Sequence, residues 1–300
     1  MGEWIVSLAG TDEGRRMALA LALLAAVLHA AVSAMQKGRH DPFTSRASID
    51  FCYGLLTAPA ALFMVPFPEP HMWPIFGITI MVHSAYKLLQ AMAFSRGDFT
   101  LVYPVARGTG PLVTAIAAGF LFGESLSPTQ WIGALTLVAG IFGLAAYNIS
   151  QIGQNRRGLG GAILLAVLTG IAIASYTTVD AYGVRATENP FTFLAWLFFL
   201  DAFFMPILAL ARRGWRPQWR QAIRMLPHGL IGAVVAVLSF GSIIIATRID
   251  NVGQAAVLRE SSIVFAAMIG WVFLREPVGP RRLGLIALIA AGAVIVGLGR

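Results

Sequence analysis

The sequence predicts an all-α integral membrane protein, with ten transmembrane helices arranged as two inverted five-helix repeats. Three observations predict it. Of the 300 residues, 57% are hydrophobic and 12% are charged, against about 25% charged in soluble domains. Long apolar runs recur through most of the chain, each close to the ~20 residues that cross a hydrocarbon core. Charged residues and prolines also return at a fixed step. Arg107, Glu124 and Pro128 come back 152 residues later as Arg259, Glu276 and Pro280, and Arg96 and Asp98 as Arg248 and Asp250. Apolar coincidences are cheap in such a composition, but charges and prolines in register are not, so the repeat governs the architecture. The runs are continuously apolar rather than alternating, which excludes a β-barrel.

Taken in order, residues 1–16 form a short polar tail with Asp12, Glu13, Arg15 and Arg16. The first apolar run is a full span, longer than the core of a cleavable signal. The spans fall at 17–36, 47–66, 73–94, 100–122 and 128–147, then 159–182, 191–211, 227–247, 253–274 and 280–298. Pro66, Pro68 and Pro70 close the second span. Asp41-Pro42-Phe43-Thr44 opens it, and Asn189-Pro190-Phe191-Thr192 opens the seventh, 148 residues on; Lys37 and Arg185 keep that same step. The drift from 148 to 152 requires a loop-length difference inside the halves. The halves are therefore 17–147 and 159–298, joined by a linker at 148–158. Five spans per half is odd, so the second half enters from the opposite side, and a site is expected near the midplane between the halves.

The net charge of +8 sits in short loops, where it orients helices rather than binding nucleic acid. Five Lys and Arg residues fall on the side of the N-terminus and fourteen on the other. The positive-inside rule then places both termini outside the cytoplasm. The one cysteine, Cys52, can form no intramolecular disulfide and reads as a small buried apolar residue. The sequon at Asn148 carries weight only where a glycosylation machinery is met.

Ionisable residues inside apolar spans are functional candidates by default, because each is costly there. Lys87 and Arg107 lie about two turns inside the same membrane face, His83 is one turn from Lys87 on the same helix face, and His29 lies in that half. Asp201 is the most deeply placed carboxylate. Arg259 and Glu260 lie in the opposite half; as helix neighbours they point to different faces, so only one faces a cavity squarely. Tyr103, Tyr176, Tyr86 and Gln90 add polar groups that need partners in lipid. Each has a plainer reading: snorkelling to the interface for Lys87 and Arg107, packing for His29 and His83, and interhelical hydrogen bonding for the tyrosines and Gln90. For Asp201 it is an ion pair with Lys87 or Arg107; Asp180 is expected to pair with Arg259. Glu124 and Glu276 read as structural, each bonding the N-terminus of the helix that follows. The interior charge count sets Lys87, Arg107 and Arg259 against Asp180, Asp201 and Glu260. Lys87 and Arg107, short of partners, are expected to take a carboxylate or phosphate, with Asp201 holding the ammonium of a zwitterion.

One pattern recurs: Pro111, then Phe122-Gly123-Glu124, a turn to Pro128, Trp131-Ile132-Gly133 and Val138-Ala139-Gly140. It is partly kept as Glu276-Pro277 and Ala291-Gly292, with Ile263 where the repeat proline would stand. The basic residues Lys37 and Arg185 close the first helix of each half. These features resemble the drug/metabolite transporter superfamily, in its EamA-type ten-helix form. The resemblance implies a secondary active transporter, an exporter of a small polar metabolite such as an amino acid or organic anion, working by alternating access in a bacterial inner membrane. It leaves open a lipid or lipid-carrier flippase and multidrug efflux on the same fold, and a monomer or a homodimer. Beyond the resemblance, no His-Glu-x-x-His, Gly-x-Ser-x-Gly or ATP-binding loop is present, which argues against an enzyme. No filter element marks a channel. No cofactor is expected, and uphill transport would draw on an ion gradient, a proton being the candidate.

Overall fold

The computed structural model describes residues 2–36, 41–96, 99–151, 159–212, 219–272 and 279–299. After a short helix at Gly2–Ser7, ten spans follow. They are α1 (Asp12–Gln36), α2 (Pro42–Pro59, ending in a π-helical turn Ala60–Met64), α3 (Met72–Arg96), α4 (Phe99–Phe122) and α5 (Pro128–Gln151). The second half contains α6 (Leu159–Arg185), α7 (Pro190–Asp201 and Phe204–Arg212), α8 (Trp219–Ile249), α9 (Val252–Arg259 and Ser262–Val272) and α10 (Pro280–Leu298). All ten are long and apolar enough to cross a bilayer, and no strand occurs among the described residues. Large side chains such as Phe63, Met64, Phe120, Leu121 and Trp271 face outward, as a lipid solvent favours.

The repeated opening sequences turn out to be helix caps. The Asp41 carboxylate accepts from Thr44 N at 2.9 Å, and the Asn189 side chain accepts from Phe191 N at 3.1 Å. In each case the next residue is the proline that begins the helix, whose fixed φ suits a first turn and whose missing N–H costs nothing there. The fifth span is opened by a reciprocal pair: Ser127 N donates to Gln130 Oε1 at 2.9 Å, and Gln130 N to Ser127 Oγ at 3.2 Å. That capping box does the work expected of Glu124.

Helix pairing across the halves reveals the symmetry. On α5 and α10, Gly133 meets Val296, Gly140 meets Ile289 and Gly143 meets Leu285. Numbers rise on one helix as they fall on the other, so the pair is antiparallel. On α4 and α9, Ala115 meets Gly253, Arg107 meets Glu260 and Tyr103 meets Ser262, again antiparallel. The same holds for α1 with α8 (Gly14 by Ile249, Ala25 by Ser239) and α3 with α6 (Met72 by Thr187, His83 by Asp180). Exchanging every helix for the one five places on leaves this pairing unchanged. Equivalent helices that cross antiparallel require a pseudo-twofold axis in the membrane plane, the inverted-repeat arrangement.

Two spans are broken, and the breaks have different causes. In α7 the chain leaves the helix at Ala202 and Phe203; Pro206 supplies no N–H and its ring crowds the carbonyl of Ala202, four residues back. In α9 no proline is present. There Glu260, Ser261 and Ile263 donate to carbonyls three residues back, and the Ser261 hydroxyl takes the Leu258 carbonyl at 2.7 Å, a local competitor for the helical ladder. The counterpart helix α4 contains Pro104 and Pro111 yet runs unbroken.

Candidate functional site

The interior between the halves holds two ionic clusters. The first is built by α2, α3, α6 and α7. Lys87, 1% exposed, donates to an Asp50 carboxylate oxygen, to the Tyr53 hydroxyl at 2.7 Å and to the Asp201 carbonyl at 3.1 Å. Its ammonium also lies 2.7 Å from Asp201 Oδ2. Arg46 reaches Asp50 Oδ1 at 2.8 Å, one turn away on α2. The Tyr53 hydroxyl donates to Asp201 Oδ2 at 2.6 Å. His83 Nε2 meets Asp180 Oδ2 at 2.9 Å, and its Nδ1 lies 3.9 Å from Asp201 Oδ2.

The second cluster sits on α4 and the break in α9. Arg107 Nη1 donates to Glu260 Oε1 at 3.0 Å, and Arg259 Nε lies 3.5 Å from that same oxygen without hydrogen-bond alignment. Arg259 Nη2 reaches Thr177 Oγ1 at 3.3 Å, and its guanidinium lies 5.7 Å from the Tyr176 ring. The Tyr103 ring lies 5.5 Å from the Arg107 guanidinium.

Tyr176 stands between the clusters. Its ring is 4.8 Å from that of His83 and 4.9 Å from that of Tyr86, whose hydroxyl accepts from Gln90 Nε2 at 2.8 Å. Phe240 packs beside Tyr176 and His83, and against His29. These rings separate two narrow cavities. One, lined by His29, Arg46, Gln90 and Tyr103, lies toward the end of α3; the other, lined by Thr177, Asp180, Thr247 and Arg259, lies toward the end of α6. Those helix ends are on opposite membrane faces. Phe240 lines both cavities.

Equivalent residues meet at the centre. Tyr53 and Asp201, 148 residues apart, are hydrogen-bonded, and Arg107 and Arg259, 152 apart, share Glu260. Contact between symmetry mates is possible only on the twofold axis, so both clusters lie on it.

The candidate site residues inside the spans, His29, His83, Lys87, Gln90, Tyr103, Arg107, Tyr176, Asp201, Arg259 and Glu260, are thus in or beside these clusters, but several pairings differ from expectation. Lys87 is not short of partners: Asp50 and Asp201 both hold its ammonium, and Asp50 with Arg46 adds a pair of charges to the interior. Asp180 faces His83 rather than Arg259. Arg107 is held by Glu260, so an uncompensated Lys87/Arg107 pair does not exist. Of the two α9 neighbours, Arg259 lines a cavity while Glu260 turns to Arg107, as their adjacency implied. Glu124 is structural but caps a different helix: its Oε2 accepts from Val252 N at 2.7 Å at the start of α9, and Oε1 pairs with Arg185 at 2.6 Å. Glu276 and Lys37 lie outside the described residues. Asp50, Arg46, Tyr53 and Thr177 were missed. An aspartate four residues from an arginine at the mouth of an apolar span is the signal that could have found the first two.

After these pairings, four buried polar atoms of the clusters and of Tyr176 between them have no hydrogen-bond partner: Arg107 Nη2, Arg259 Nε, the Tyr176 hydroxyl and Asp201 Oδ1. Such orphans are uncommon in native interiors and call for an explanation. No group of three metal-ligating side chains gathers among the described residues.

Ten spans related by an in-plane twofold, with charged groups on the axis and a cavity toward each face, define a membrane transporter of the inverted-repeat class. The sequence matches the EamA-like transporter family twice, over residues 16–146 and 160–298, and the chain belongs to that family, within the drug/metabolite transporter superfamily. A protein of known crystal structure shares its fold with a TM-score of 0.72 at 21% identity, over 95% of this chain and 98% of its own. A search of curated protein sequences finds no match.

Proposed function

We propose that this chain is a secondary active exporter of a small zwitterion or monoanion, such as an amino acid or organic acid. It works by alternating access of the repeats 17–147 and 159–298 in a bacterial inner membrane, driven by an ion gradient. The observation that carries this reading is the division of charge about Tyr176. In the α4–α9 cluster, two arginines face one glutamate, a surplus of one positive charge. In the other, Arg46 and Lys87 face Asp50, Asp180 and Asp201, a surplus of one negative charge when His83 is neutral. Each surplus is buried, and a buried surplus charge is costly until it is matched. A carboxylate at Arg107 and Arg259 and an ammonium at Asp201 match both. The partnerless atoms are of the right kinds, donors at the first and an acceptor at the second. Tyr176, Tyr103, Tyr86, Gln90 and His29 would line the passage, and Lys87, His83 and Glu260 would hold the charged groups in place.

The test is a thermal-shift screen of the purified protein against amino acids, monocarboxylates, phosphate esters and lipophilic cations. A ligand at about 100 times its Kd stabilises by ~2.7 kcal/mol. Stabilisation by amino acids or monocarboxylates, lost in Arg259→Gln, is expected. Stabilisation by lipophilic cations only would replace this reading with multidrug efflux.

A further inference from the structure

We propose that His83, clasped between Asp180 and Asp201, is the site of a coupling proton, which exchanges there with the ammonium group of the substrate. The inference rests on the zwitterion reading above and gives its driving ion a place.

The argument is geometric. With Nε2–H donated to Asp180 at 2.9 Å, Nδ1 is the atom left to take a second proton, and it faces Asp201 Oδ2 at 3.9 Å. That gap is too long for a hydrogen bond, and the other Asp201 oxygen, Oδ1, has no partner although the residue is only 4% exposed. Asp201 is therefore a half-satisfied acceptor beside a half-satisfied imidazole. A proton on Nδ1 makes an imidazolium that stays hydrogen-bonded to Asp180, attracts Asp201 across the 3.9 Å gap and cancels the surplus negative charge of its cluster. Alkylammonium would seek that same carboxylate, and the two cations cannot both be accommodated by one surplus charge. One therefore enters as the other leaves, and proton influx drives efflux of the zwitterion.

The surroundings suit such a site. The ionisable groups around His83 are Asp180 and Tyr176 of α6, Asp201 of α7, Asp50, Arg46 and Tyr53 of α2, and Lys87 and Tyr86 of its own helix. Arg259 of α9 and Arg107 of α4 lie beyond Tyr176, while α8 presents only the Phe240 ring. Asp180 lines the cavity toward the end of α6, and Arg46, at the far end of the chain of ion pairs, lines the cavity toward the other face. Asp180, His83, Asp201, Lys87, Asp50 and Arg46 thus form one continuous ionic row from cavity to cavity.

The test uses the full-length protein in detergent and the common amino acids, supplied as a mixture. Added to weakly buffered protein near pH 6, the mixture should release about one proton per bound molecule, since one imidazolium is discharged. The release should vanish in His83→Gln. Binding seen as a thermal shift with no proton release would overturn the proton site and leave the zwitterion reading standing. No thermal shift at all would instead remove the zwitterion. In that event NMR of ring-labelled histidine in the unaltered protein, with His83 assigned by its loss in His83→Gln, decides alone. A charge change at His83 between about pH 5 and 8 sustains the proton site, and a ring that keeps one charge state throughout overturns it.

Discussion

Removing Lys87 leaves Asp50 and Asp201 facing each other in an apolar interior, with Arg46, the Tyr53 hydroxyl and, at 3.9 Å, His83 beside them. Breaking a buried pair from one side typically costs about 3–5 kcal/mol, because the orphaned charge stays desolvated. Lys87→Met is therefore expected to lower the thermal midpoint in detergent, not only to abolish transport. Adding Asp50→Asn removes one of the stranded charges and should recover part of the loss; no recovery would mean the two residues are not coupled. Arg107→Gln is a milder change, since Glu260 retains Arg259. It should fold with a smaller loss of stability than Lys87→Met yet lose the thermal shift given by the substrate, which separates positioning from folding. The candidates themselves were legible, because an ionisable residue inside an apolar run needs a reason. Their partners were not. Asp50 and Arg46 stand at the edge of a span, where snorkelling already accounts for a charge, and only the packing of α2 against α3 and α7 brings them to the axis.

At the scale of the helix, the α5–α10 seam is where backbones come closest. A Cβ built on Gly292 would lie 2.5 Å from Leu137 N, and one on Gly140 3.0 Å from Ile289 N. Both obstacles are backbone atoms, which cannot rotate aside. Gly292→Leu should thus destabilise by at least the 1–3 kcal/mol typical of overpacking, read as a lower thermal midpoint; a neutral result would show that the helices can part freely. Glu124 makes a second kind of link, tying α4 to the start of α9 and to Arg185 at the end of α6. Glu124→Ala should cost on the order of 1 kcal/mol, the loss of one cap with its partly exposed ion pair. Helix number and span positions were legible from hydropathy; Asp41-Pro42 and Asn189-Pro190 were legible as a repeat, and their capping role came from the structure. The interruption of α9 was not legible, because it comes from hydrogen bonds at Glu260 and Ser261 rather than from a proline. Prolines are a poor guide in this pair, since those of α4 leave it continuous.

For the whole molecule, the repeat was the most readable property, since an odd number of spans per half forces the halves to run in opposite directions. The arginines at the 152-residue step identified one pair of mates that meet on the axis, Arg107 and Arg259; the other, Tyr53 and Asp201, was hidden because the two side chains differ. What symmetry leaves undetermined is which face is cytoplasmic, because an in-plane twofold interchanges the two. Only the loop charges break that tie. Five Lys and Arg residues on the side of the N-terminus against fourteen on the other predict a cytoplasmic position for residues 213–218, by the preference of basic loops for that side. The native thiol does not interfere strongly, as Cys52 is buried, and Cys52→Ala removes it. In that background Arg216→Cys should be protected from a membrane-impermeant maleimide in intact cells and react once the membrane is opened, while Arg16→Cys should react in intact cells. Labelling of the cysteine at 216 from outside would invert the molecule. The cavity lined by Asp180 would then face the cytoplasm and the one lined by Arg46 the exterior, but an exchange would keep its direction, because the ion gradient and not the insertion of the protein sets it.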